Sequence, residues 1–166
     1  GSELFSIFKN YELIDYLTTE LSNDKLFKFK KKLSYNELKK KDYKLIFNCD
    51  VNHQITKKFF YKKIDKNYDS YAYTTVIKHK KKLNNNTAKQ IFTFLGPLAF
   101  LPISDVETSV VYSVKGQKNI ELKDVIKKYN SYYDVVKIEE PSKLKLRSSS
   151  LRTYYYQNVL AFGDLL

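Results

Sequence analysis

The 166-residue sequence predicts an α+β fold: a mixed, largely antiparallel sheet packed by helices. Three observations carry that reading. Residues 92–103, from Phe92 through Gly96-Pro97 to Pro102-Ile103, form the most apolar run in a chain otherwise rich in Lys, Tyr and Asn. Residues 71–77 and 106–114 flank it, and β-branched and aromatic side chains dominate both. Residues 120–133 put Leu122, Val125, Ile126, Tyr129 and Tyr133 on one stripe, the pattern of an amphipathic helix. Helices and strands then mix without strict alternation.

Each element can be justified in order. Residues 4–21 space apolar side chains by threes and fours, with Asn10 as cap and Leu13, Leu17 and Leu21 on the buried face. Residues 26–30 alternate apolar and basic side chains as a half-exposed strand does. A charged connector over 31–42 holds one helical turn around Tyr35 to Leu38. The short continuous apolar run 43–49 reads as a strand buried on both faces in a parallel or mixed sheet. Ile55, Phe59 and Phe60 mark a short helix over 53–63, and Asp65-Lys66-Asn67 turns the chain.

In the central run, Gly96 leaves room for a close approach, while Pro97 and Pro102 have no amide to offer a neighbour. That strand is therefore expected to be an edge, bulged or short. A charged loop over 78–89 precedes it, and a polar turn at Ser104-Asp105 follows it. Residues 135–139 continue the amphipathic helix or form a short strand before Pro141. Residues 144–147 and 153–156 read as strands around a loop at 148–150, and 159–162 as a last buried strand closing on Gly163-Asp164.

The length suits one domain, 1–166. With 43% apolar residues the chain can fill a core and stands outside the disordered regime. A net charge of +12 invites an anionic partner, but Arg147 and Arg152 are the only arginines. Arginine is the side chain that forks onto phosphate and guanine, so the dispersed lysines read as a solvated surface and no nucleic-acid partner is expected. The single cysteine, Cys49, excludes an intramolecular disulfide and fits a reducing, cytoplasmic setting. No apolar run reaches the roughly 18 to 20 residues a spanning helix needs. Gly1-Ser2 reads as a cloning scar, and methionine is absent. The sequence is therefore expected to be a piece of a longer protein.

The chemistry-bearing residues are few. His53, His79 and Cys49 supply no metal-ligand spacing, so no metal site is expected. With 4 glycines there is no phosphate-cradling glycine loop, and no catalytic constellation is apparent. Asp50 and Asp164 each follow a short apolar strand, where the carboxyl end of a sheet offers groups to a ligand crevice. Such a carboxylate can accept hydrogen bonds from sugar hydroxyls or cap the next helix, and the cap is the commoner use. The tyrosines at 154–156 read as sheet core and rim.

Taken together, residues 90–103 with their Gly-Pro-Leu-Ala-Phe-Leu-Pro block, then 109–113, then 156–164 ending in Gly163-Asp164, resemble the flavin-dependent aromatic hydroxylases of ubiquinone biosynthesis, in the para-hydroxybenzoate hydroxylase superfamily. Residues 11–17 look like the helix leading into that family's flavin-domain strands, and 45–50 like its Asp-Gly segment. Val51 stands where that segment has glycine, Gln54 where it has serine and Lys57 where it has arginine. The resemblance implies residues 3–60 as a remnant of the FAD-binding domain, 68–158 as the substrate-binding sheet and helix, and 159–166 as the start of the return to the FAD domain.

It further implies FAD contacts at Gly163, Asp164 and Asp50, with a β-branched Val51 degrading the last of these. NAD(P)H is the implied co-substrate. A polyprenyl phenol would lie against Pro97, Leu101 and Ile103, with Tyr112 on the next strand facing the same way. The glycine-rich pyrophosphate motif is not in the sequence, so the fragment alone is expected to be inactive and to bind FAD poorly. The parent would work at the periphery of the inner membrane. Other classes stay open: a basic module for anionic membrane or nucleic acid, or a divergent family member without catalysis.

Overall fold

The computed structural model of the chain describes residues 5–31, 33–40, 43–82, 84–116 and 119–165. Two compact units divide it: residues 1–20 with 68–146, and residues 21–67 with 147–166. The elements in order are α1 (Asn10–Ser22), α2 (Tyr35–Lys40), β1 (Ile46–Asn48), α3 (Gln54–Phe59), β2 (Lys63–His79), β3 (Lys89–Thr93), β4 (Gly96–Pro102) and β5 (Glu107–Lys115). Then come α4 (Leu122–Tyr129), β6 (Val135–Ile138), β7 (Ser142–Leu151), β8 (Tyr155–Tyr156), β9 (Val159–Ala161) and a 3-10 turn, Gly163–Leu165.

The first unit is built on a sheet of order β3-β4-β5-β2-β6, with β7 also pairing β2. The β3–β4, β4–β5, β5–β2 and β2–β6 pairings are antiparallel. Register explains which face is buried. Leu98 pairs with Tyr112 and Phe100 with Val110, while Tyr73 and Thr75 on β2 stand opposite Tyr112 and Val110. All of these are buried, and Leu122 and Ile126 of α4 close the same cluster. The intervening residues Pro97, Ala99 and Leu101, with Ser109 and Val111 opposite, point to the other face and are only partly buried. The helical stripe over 120–133 is as expected, shortened at both ends.

The central run is not one strand. Phe94 and Leu95 turn it back on itself, so β3 and β4 form a hairpin and β4 lies between two neighbours instead of at an edge. Pro97 and Pro102 are tolerated near its ends, and β3 takes the edge. Gly96 has φ +143, and an added Cβ would sit 2.1 Å from the Ser113 carbonyl oxygen, so the predicted close approach is to backbone of the next strand.

The second unit pairs β1 in parallel with β9, Ile46 with Val159 and Asn48 with Ala161, and β9 with β8 in antiparallel. Its core gathers Ile55, Phe60, Leu151, Val159, Ala161 and Leu165. The 43–49 strand contracts to β1, and Phe47 is exposed, so it is not buried on both faces.

Other expectations fail for local reasons. Residues 26–30 make no strand, because no partner strand takes their amides. The turn at 65–67 is extended chain within β2, and the serines 148–150 lie within β7, because the two long strands pair and bridge these polar stretches. Of the two readings open for 135–139, the short strand is the one that forms, as β6. Helix α1 starts at Asn10, and none of its residues is buried. Leu13, Leu17 and Leu21 are merely less exposed than Tyr11, Ile14 and Tyr16. Leu4, residues 32, 41 and 42 of the charged connector, and Leu166 lie outside the described residues. Among the described residues, no helix is long and apolar enough to cross a membrane.

Candidate functional site

The second unit holds a cavity of about 720 Å³ beyond the carboxyl ends of β1 and β9. Parallel pairing is what places it there, since both chains leave their strands on the same side. From α3 come Thr56 and Lys57, followed by Phe60, Tyr61 and Lys63; β7 gives Arg147, Ser148, Ser149 and Leu151; the 3-10 turn gives Asp164 and Leu165. The result is an apolar floor with a cationic wall.

The supports of this wall are specific. Thr56 Oγ1 donates to the Asp50 carbonyl at 2.6 Å and accepts from Asn48 Nδ2 at 2.7 Å, which ties the end of β1 to α3. His53 is the helix cap, accepting from the Ile55 amide at 3.3 Å, while its Nε2 meets the Leu33 carbonyl at 2.9 Å. Lys63 Nζ lies 3.4 Å from Asp65 Oδ2. The Asp65 carboxyl is held below the usual carboxylate range, first by a hydrogen bond from Ser149 and then by Lys63 and Arg147. Lys57 and Arg147 remain as cations facing the cavity with Asp164 as its carboxylate.

Of the three residues expected at FAD, Asp164 lines this cavity and Gly163 presents it, with φ +64. Asp50 does neither that nor the capping. Its carboxylate accepts the Asn52 amide at 2.8 Å, closing its own turn. The substitution of glycine by Val51 also leaves no strain. Left-handed backbone among described non-glycine residues falls at Asp69, Asn84 and Gln157, so the turn after Asp50 does not use the conformation reserved for glycine. Lys63, Arg147, Ser148 and Ser149 were not legible as site residues. Only the pairing of β7 with β2 brings them in, although the rarity of arginine marked Arg147.

In the first unit, Pro97 and Leu101 share a face of the sheet, while Ile103 lies just past the end of β4, its amide donating to the Glu107 carbonyl at 3.0 Å. Tyr112 does not share that face. It pairs with Leu98, is buried in the α4-covered core, and its hydroxyl sits 2.9 Å from Thr93 Oγ1. The side chain beside Ala99 on the open face is Val111. Among the described residues no group of His, Cys, Asp and Glu could hold a metal ion.

No protein-family model matches the chain. It is 43% identical over 56 residues to the ubiquinone biosynthesis monooxygenase COQ6, mitochondrial, of Danio rerio, a stretch covering 34% of this chain and 12% of that protein. A crystal structure of CmlS, a flavin-dependent halogenase, matches with a TM-score of 0.54 and 16% identity, over 72% of this chain and 25% of the halogenase. The chain thus spans a small part of the proteins it matches. It has the α+β fold of a portion of a flavin-dependent enzyme, and in sequence and fold together it is similar to the FAD-dependent hydroxylase superfamily.

Proposed function

We propose that the chain is the substrate-sheet portion, with part of the flavin side, of an FAD-dependent monooxygenase that hydroxylates a polyprenylated phenol in ubiquinone biosynthesis. The observation that carries this reading is the cavity past β1 and β9, lined by one carboxylate, Asp164, by the cations Lys57, Lys63 and Arg147, and by an apolar floor. The donor set fits a dinucleotide: a carboxylate accepts from the ribityl hydroxyls of FAD, and the cations suit the phosphates of NAD(P)H. Bound flavin would supply the oxygen and electron chemistry of the hydroxylation. The chain's own part is to orient and to exclude water. Pro97, Ala99 and Leu101, with Val111, make an apolar wall, which suits a prenylated ring better than a small acid needing a counter-ion. Tyr112 has no place in that wall.

The test uses the protein encoded by the full reading frame. It purifies yellow, and a polyprenyl phenol stimulates its NAD(P)H-dependent oxygen uptake. Arg147→Gln raises KM for NAD(P)H about tenfold, the worth of one charge-assisted contact, while Asp164→Ala lowers flavin content. A colourless protein, or uptake indifferent to the phenol, overturns the reading. The 166-residue chain by itself gives no turnover.

A further inference from the structure

We propose that residues 25–31 dock the chain on an anionic lipid bilayer. This stretch runs Lys25, Leu26, Phe27, Lys28, Phe29, Lys30, Lys31, and it forms no strand. Its start is pinned by the Leu26 amide on Asp24 Oδ1 at 2.8 Å and the Phe27 amide on the Asp24 carbonyl at 3.1 Å. Beyond that turn Leu26 is 91% exposed and Phe29 79% exposed. An irregular segment holding two large apolar side chains in water, with four lysines interleaved, is matched by one kind of surface. The acyl boundary takes the Leu and Phe side chains, and acidic headgroups take the ammonium groups. A groove on a protein partner accounts for the apolar residues but not for a lysine beside each. Lys30 lies 4.0 Å from Glu37, an exposed pair that water or lipid can replace.

A second exposed apolar site gives the contrast. Phe94 at the β3–β4 turn is 100% exposed and Phe92 is 80% exposed. Among the described residues the lysine next to it is Lys115, whose amide meets the Leu95 carbonyl at 3.3 Å, so this tip serves as the comparison for the lysine-rich segment.

The experiment is co-sedimentation of the 166-residue chain with vesicles of phosphatidylcholine containing about one third phosphatidylglycerol, repeated with phosphatidylcholine alone. No flavin or phenol is present, so the outcome is independent of the monooxygenase reading. Binding is expected to the anionic vesicles, to weaken with salt, and to fall about fivefold for each lysine among Lys25, Lys28 and Lys31 changed to Gln. Leu26→Ser with Phe29→Ser lowers it about tenfold or more. Phe94→Ser leaves it unchanged, and circular dichroism confirms that each variant is folded. No binding by the unaltered chain overturns the proposal. So does equal binding to neutral vesicles, loss on Phe94→Ser alone, or the full reading-frame product failing to bind because other residues cover the segment.

Discussion

The Glu107 carboxylate of the first unit is held by two lysines. Lys9 Nζ approaches Oε2 at 2.6 Å and Lys78 Nζ approaches Oε1 at 3.4 Å. The hydrogen bond from Lys9 comes first in holding the Glu107 carboxyl below its usual range, and the same bond raises the Lys9 ammonium. A lowered carboxyl stabilises the fold above its unfolded value and loses that contribution as pH falls through the folded one. A raised ammonium loses its contribution only as pH climbs past the ordinary lysine range. Glu107→Gln therefore costs about 1 kcal/mol or less at neutral pH, as expected of a partly exposed pair. The difference in Tm from the unaltered chain narrows as pH falls from the ordinary glutamate range through the lowered folded value. A difference that does not narrow in acid places the effect in packing instead.

At the scale of elements, the hairpin shows what sequence could and could not give. Composition marked 92–103 as strand, and the Gly96 close approach was legible. The reversal at Phe94-Leu95 was not, because neither is a turn-forming residue and the apolar pattern runs through it. Helix α4 was legible because Leu122 and Ile126 repeat at helical spacing on the face that packs. β2 and β7 were misread where they turn polar, since cross-strand partners rather than local preference hold 65–67 and 148–150 extended. Asp164 could be found from its place after a strand, whereas its neighbours Arg147 and Ser149 depend on that same pairing. The β4–β5 spacing rests on Gly96. Gly96→Ala forces a side chain onto the Ser113 carbonyl and an L-residue into φ +143, at a cost of about 3 kcal/mol or more, readable as a lowered urea midpoint. An unchanged midpoint argues that β4 can shift away.

Over the whole molecule, residues 68–146 of the first unit come, in sequence, between the two stretches that make the second. The second unit's parallel pair joins distant positions: Asn158 Nδ2 donates to the Tyr43 carbonyl across 115 positions. Ending the chain after residue 146 removes Leu151, Val159, Ala161 and Leu165 from the second core and nothing from the β3-β4-β5 hairpins. Hydrogen exchange on that truncated chain is expected to keep slow amides in β4 and β5 and to lose them in β1 and α3. Protection surviving in β1 contradicts this.

During synthesis the parallel pairing then imposes an order. The β3–β4 and β4–β5 pairs can form while β1 still waits for β9, so the nascent chain must shield Ile46 and Ile55 until Val159 and Ala161 emerge to cover them.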